Sequence, residues 1–291
     1  MLFGYALISG MLYGLFYGFI GIGLNLLFGV MRLVNLAHGD LIVFGGYLTY
    51  ALATYAHLNP LWAIPVSIPL ALAVGFVLYE VTVPRLARSR DAETASLILF
   101  FGISQILEAI ASMAFGNNAD TLSPSTFGGP VHLFGQPFAS SALVSALVSI
   151  PALGVLYVYL YRTRLGLVTR AVMADETEAA ASGVRIRVIA ASAFAIGVAF
   201  AVAAGALAIF MLGGVDPTTG STLTITAFTV IIIGSLGNPI GTAVGGLLYG
   251  LVLAFTETFA TEWSGLVPFA LLLVVLLVRP SGLLGRKTRS A

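Results

Sequence analysis

The chain contains no cysteine. Disulfides, thiolate catalysis and cysteine-held metals are therefore excluded, and thiol-based redox chemistry with them. Charge is the second scarcity: Lys, Arg, Asp and Glu together make up 9% of 291 residues. A soluble domain of this length needs roughly 25% charged residues to cover its surface. The net charge of +1 gives no bulk electrostatic case for nucleic acid, and no acidic or basic tail suggests one. Histidine is sparse as well. His38, His57 and His132 sit in separate stretches with no His-Glu-x-x-His spacing, so no zinc site is predicted. No Gly-x-x-x-x-Gly-Lys-Ser/Thr occurs, so the usual phosphate cradle for ATP is missing. The nearest nucleophile-like fragment, Gly102-Ile103-Ser104, lacks the second glycine of a nucleophile elbow. These absences argue against an enzyme.

What fills the chain instead is apolar: 59% hydrophobic residues and a mean hydropathy of +1.03. Most of the exterior must then face lipid. No Lys or Arg precedes the first apolar run, which reads as a retained span, not a cleaved leader. Apolar segments fall at residues 5–29, 41–55, 61–83, 95–115, 142–161, 189–212, 223–235, 240–258 and 266–278. Since a crossing helix needs about 20 residues, the expectation is a single all-α polytopic transmembrane bundle over residues 1–291, with about 8–9 spans. The second, seventh and ninth segments are short, as re-entrant or broken helices are.

Drawn as alternating crossings, the segments leave every Lys and Arg on one side, at Arg32, at Arg85 to Arg90, within 162–187 and within 279–289. The positive-inside rule makes that side cytoplasmic, with the N-terminus outside and the C-terminus inside. Gly10, Gly14 and Gly18 recur at fourth-residue spacing, as do Gly197, Ala201 and Gly205, and Gly246 with Gly250. Such faces let helices approach closely, either within the subunit or at an interface or transport path.

Two stretches interrupt the helical pattern. Asn35-Leu36-Ala37-His38-Gly39-Asp40 concentrates polar groups between two apolar segments. Asn35 reads as a cap for the next helix with Asp40 in its first turn; equally, Asn35, His38, Gly39 and Asp40 read as unwound backbone beside a water-filled route. The second stretch, Gly234-Ser235-Leu236-Gly237-Asn238-Pro239-Ile240-Gly241, reads as a tight hairpin, with Gly237 and Asn238 as its counterpart on the route. Each stretch precedes a Gly-Gly pair, Gly45-Gly46 and Gly245-Gly246, a hint of two related halves. Between Arg162 and Arg187 the chain is basic at its ends and alanine-rich in its middle, a helix by propensity that Gly183 would stop. That segment is either a solvated connector or a short helix that fits a groove on a partner.

The Glu178-Ala179-Ala180 stretch resembles the coupling loop by which importer permeases of the ATP-binding-cassette class dock on their ATPases. Only Ala181 and Ser182 separate it from Gly183, where importer permeases in general have three residues. Taken with the 35–40 stretch, the 234–250 stretch and the terminal Arg279-Pro280-Ser281-Gly282-Leu283-Leu284-Gly285, nearly the whole chain resembles permeases of the high-affinity branched-chain amino acid importers, the LivH type. The resemblance implies a permease of the bacterial inner membrane, carrying branched-chain or related amino acids by alternating access. It implies as partners a second homologous permease, two cytosolic ATPase subunits and an external or periplasmic solute-binding protein. This chain would bind no cofactor, and ATP would be used by the partners. Arg170, Glu178, Ala179, Ala180 and Gly183 would form the coupling surface, while Asn35, His38, Gly39, Asp40, Gly237 and Asn238 would border the path. The rival class is an ion-coupled secondary transporter or channel, which needs charge inside the spans; such charge is scarce here, as at Glu108 in the fourth segment and Glu80 near the inner end of the third, with no series of carboxylates or lysines.

Overall fold

A computed structural model describes residues 2–285. Arg286, Lys287 and Arg289, counted above among the inner cations, lie outside the described residues. Eleven helices follow one another: α1 Leu2–Met31, α2 His38–Thr54, α3 Ala63–Leu86, α4 Ala92–Phe115, α5 Ser140–Arg162, α6 Arg164–Ala174, α7 Glu176–Ala181, α8 Ile186–Met211, α9 Thr219–Gly234, α10 Pro239–Phe259 and α11 Val267–Val278. Each of the nine apolar segments becomes a helix, because backbone groups in lipid must be satisfied within the segment itself.

Seven helical stretches are long and apolar enough to cross a membrane. The two short ones, α2 with 17 residues and α9 with 16, are those whose neighbouring sequence is interrupted. The ninth segment differs from the expectation. A 3₁₀ turn over Thr261–Leu266 runs directly into α11, and together they reach 18 residues. Proline tolerates this continuation, since Pro268 stands in the first turn of α11, where its missing N–H costs nothing.

Burial divides the helices by role. The spans of α1 and α8 are 78% buried, whereas those of α4 and α11 are 17% buried. The first pair forms the core, with α2, α9 and α10 around it, while α3, α4 and α11 turn side chains such as Phe76, Ile98 and Leu277 outward, where lipid is their solvent. All three small-residue faces are used inside the subunit. Gly10 and Gly14 lie against Gly246 and Gly250, so close that a Cβ on Gly250 would come within 2.6 Å of the Gly10 carbonyl oxygen. Gly197 packs on Gly23, and Gly205 on Gly45. Dispersion at such short range holds helices together where no hydrophobic transfer is available.

One arrangement occurs twice among the described helices. In α1–α2 and again in α8–α9 a long buried helix leads through a non-helical stretch into a short helix. The long helices α1 and α8 run antiparallel, since Phe19 meets Phe200 while Gly23 meets Gly197, and the short helices α2 and α9 touch at their first turns, where Gly39 meets Gly220 and Thr224.

Outside the helices, residues 116–139 form a loop carrying one small hairpin, β1 Val131–Leu133 paired antiparallel with β2 Gln136–Phe138. Its two-residue turn, Phe134-Gly135, has positive φ at both positions, which matches the twist of the flanking strands. Asp120 and Val215 exchange backbone hydrogen bonds at 2.9 and 3.0 Å, tying this loop to the α8–α9 connection. At the opposite end Arg187 of α8 pairs with Glu80 of α3. The arginine is 69% exposed, so solvent screens the pair, and Arg187→Ala should leave the melting temperature of the purified subunit nearly unchanged. A larger loss in a thermal-shift assay would mean that the pair locks α3 to α8.

Candidate functional site

The 32–37 stretch does not stay at the helix end. Arg32, with φ +53°, terminates α1, and the chain then runs back along it until the His38 ring nitrogen Nε2 donates to the Ile20 carbonyl at 3.1 Å. Ile20 lies eleven residues before Met31, so α2 begins about 16 Å along α1 from that helix's end. Asn35 is not the cap of α2. Ala37 holds that position, and the Asn35 side chain accepts from the Ala37 N–H at 3.1 Å, an Asx turn that reverses the chain before the helix starts. Asp40 does lie in the first turn. Asn35, His38 and Asp40 are all buried, so irregular backbone at this depth is enclosed by protein.

The start of α9 closes this central cluster. The Thr224 hydroxyl accepts from the Gly39 N–H at 2.9 Å and lies 3.0 Å from the Leu36 carbonyl, while Gly220 packs directly on Asp40. A Cβ on Gly220 would stand 3.0 Å from the Asp40 Cα, so only glycine fits. Two helix N-termini thus meet at one carboxylate, where their dipoles favour a negative charge. His38 Nδ1 and Asp40 Oδ2 have no hydrogen-bond partner among the described residues.

Gly237 and Asn238 belong to a second cluster, around Asn25 of α1, nearer the end of the bundle that carries the described Lys and Arg residues, termed the inner end for its charge. The Asn25 amide donates to the Asn238 carbonyl at 2.9 Å and to the Thr242 hydroxyl, and its oxygen accepts from the Gly237 N–H. Asn238 in turn caps α10 through the Gly241 N–H at 3.1 Å. The terminal motif packs here too: Leu283 N–H donates to the Ile233 carbonyl at 2.8 Å, and the Asn238 amide donates to the Leu284 carbonyl at 3.3 Å. Two stretches far apart in sequence are thereby one inner turn. The structure does not bring this turn to the Asn35–Asp40 cluster; α1 carries them at different depths.

Met173 links the inner turn to the 162–187 loop, since its methyl group reaches both Gly29 and Gly237. The loop is two helices, not one. Thr163 caps α6 through the Gly166 N–H at 2.9 Å, and Asp175 ends it and caps α7 through the Glu178 N–H at 2.9 Å. At the far end Gly183 takes φ +83°, with Gly183 N–H bonded to the Ala180 carbonyl and Val184 N–H to the Ala179 carbonyl. This is the glycine helix stop that the sequence predicts. Ala179 faces inward, whereas Glu178, Ala180 and Gly183 are exposed. Arg170 turns back on its own bundle, donating to the Leu160 carbonyl at 2.9 Å with its guanidinium over the Tyr161 ring.

A cavity of about 680 Å³ opens at the other end of the bundle, between α1, α9, α10, α11 and the α8–α9 connection. Tyr17, Asp216, Thr226, Tyr249 and Glu257 give it a polar lining. Burial works against charge at Asp216, but hydrogen bonds from Thr218 and Thr219 outweigh it and hold the carboxyl below the usual carboxylate range.

The family described as "Branched-chain amino acid transport system / permease component" matches residues 6–276. The chain belongs to it. This permease is 29% identical to the high-affinity branched-chain amino acid transport system permease protein LivH of Salmonella typhimurium, over 96% of this chain and 94% of that protein. It is 28% identical to BraD of Pseudomonas aeruginosa, covering 96% and 95%. The permease protein LivM of Escherichia coli is 28% identical over 92% of this chain and 67% of its own length. No solved structure matches.

Of the residues that organise the permease, Asn25, Met173, Gly220, Thr224 and the cavity residues Tyr17, Tyr249 and Glu257 escaped the sequence reading. Asn25 carried a usable signal as an amide in the middle of an apolar run, where a polar side chain needs a partner. Asp175-x-x-Glu178 carried another, the helix-start spacing that divides the loop.

Proposed function

We propose that the permease translocates branched-chain or related amino acids by alternating access, driven by cytosolic ATPases that dock on the 162–187 loop. The observation that carries this reading is α7. It is a helix of six residues, fixed at both ends by its own caps, presenting small exposed side chains and joined through α6 and Met173 to the inner turn. A push on α7 therefore reaches Gly29 and Gly237 through a rigid lever. All described Lys and Arg residues fall at the ends that alternate crossing assigns to the cytosol, which supports an outer N-terminus and an inner C-terminus. The likeness to LivM supports a second homologous permease as neighbour, and a solute-binding protein at the outer face completes the importer. The path is assigned along the Asn35–Asp40 cluster and the Gly237–Asn238 turn, with ATP bound by the partners alone.

Ala180→Trp tests the docking step, because Ala180 is exposed and its replacement leaves the caps of α7 intact. Gly183 is a poorer site, since any side chain there is strained by its positive φ. Ala180→Trp should leave the subunit inserted and monodisperse while the ATPase recovered with it, and ATP-driven uptake, fall at least about tenfold, a loss of roughly 1.4 kcal/mol or more in docking. Undiminished ATPase retention and uptake would remove the coupling role.

Asp40 favours a second reading, ion coupling, because one of its oxygens is buried without a partner. Uptake abolished by a protonophore at constant ATP would establish it; uptake abolished by ATPase inhibition alone would dismiss it.

A further inference from the structure

We infer that the outer cavity recognises the ammonium group of its solute and rejects solutes whose only charge is a carboxylate, an inference that rests on the transport reading above. The cavity, about 680 Å³ in volume, lies in the size range of small-molecule sites. Its lining contains two carboxylates, Asp216 and Glu257, and no Lys, Arg or His. Glu257, Tyr17 and Tyr249 line the same cavity, so the acid and the two phenols share one region.

The rings pack edge to face with centroids 4.8 Å apart. Tyr249 hydroxyl lies 3.4 Å from the Thr226 hydroxyl. Tyr17 has no such neighbour: it is 6% exposed, lines the cavity, and its hydroxyl has no hydrogen-bond partner among the described residues. Its ring is packed in the core while its hydroxyl, open to the cavity, is free to bond to what enters it. An ammonium satisfies the whole set. It pairs with Glu257, lies against electron-rich ring faces and leaves the Tyr17 hydroxyl a polar partner. Leu253 offers an apolar wall to an aliphatic side chain. A carboxylate alone meets two like charges with no cation in the lining to offset them.

The test uses the importer purified with its accompanying subunits, without solute-binding protein, and three probes that share one branched carbon skeleton: leucine, 3-methylbutylamine and 4-methylpentanoate. Saturation-transfer NMR should show the amine and leucine bound and the acid at least about tenfold weaker. Glu257→Gln should erase the preference of amine over acid, Glu257→Asp should keep it, and Tyr17→Phe should weaken leucine severalfold without inverting the order. Equal binding of acid and amine, or an unchanged ratio in Glu257→Gln, overturns the inference. ATP-driven leucine uptake with binding protein present is scored separately. Absent uptake with the charge preference intact counts against the transport reading alone, whereas normal uptake without the preference counts against the ammonium site alone.

Discussion

Gly246→Val should abolish the folded subunit, with no monodisperse peak left on size-exclusion chromatography of detergent-extracted protein. A Cβ at Gly246 would come within 2.7 Å of the Gly14 carbonyl oxygen and 2.5 Å of the Gly18 Cα. Both neighbours are backbone, so no rotamer change relieves the clash, and α1 must move away from α10. Overpacking in a core where side chains can yield costs about 1–3 kcal/mol. Here it also separates the seam of Gly10, Gly14, Gly246 and Gly250, whose dispersion is the attraction available between these helices in lipid. Gly154→Val is the matched control, because nothing lies within 4 Å of a Cβ at Gly154. The control should elute as wild type. A monodisperse Gly246→Val subunit would show that α1 and α10 separate without loss of the fold.

That seam was readable in the sequence, since fourth-residue glycines on two apolar segments announce close helix packing. What spacing could not say was which faces meet, because a small-residue stripe looks the same at a subunit interface as inside a bundle. The nine apolar helices were likewise legible: lipid permits few alternatives to an apolar helix, and glycine or proline marked most breaks. The reverse course of residues 32–37 was not. Nothing in Arg32-Leu33-Val34-Asn35 distinguishes a chain leaving the membrane from one folding back beside α1. The distinction rests on the Thr224 and Ile20 contacts, 188 and 18 residues away.

Polar residues were legible when clustered and obscure when alone. Asn35, His38 and Asp40 advertised themselves together, as did Gly237 and Asn238, yet the residue that organises the inner turn is a single asparagine within an apolar run. Tyr17 and Glu257 share a cavity although 240 positions separate them. Tyrosine in an apolar helix carries no spacing signal of its own. Sites made by one residue from each of several helices appear only when the helices are packed.

Asn25→Leu separates scaffold from chemistry at the inner turn. Leucine has the branched outline of asparagine with bulkier methyl ends, so the shape is roughly kept, with some crowding, while every bond is lost. The Gly237 N–H and the Asn238 carbonyl lose their asparagine partner in a largely buried setting. The Asn238 carbonyl keeps the Thr242 N–H at 3.0 Å, so the Gly237 N–H is the group left unsatisfied, at a cost of roughly 1–3 kcal/mol. The turn also receives the Met173 methyl, the Leu284 strand of chain and the start of α10. Loosening it should therefore uncouple α6 and α7 from the bundle. The expected outcome is a lower melting temperature together with ATP hydrolysis that persists in the assembled importer while leucine uptake drops more than about tenfold. Asn25→Gln, which keeps the amide on a longer stem, should recover part of both losses. If Asn25→Leu melts and transports as wild type, the inner turn is held by glycine packing and the terminal motif, and Asn25 has no part in transmitting the ATPase stroke.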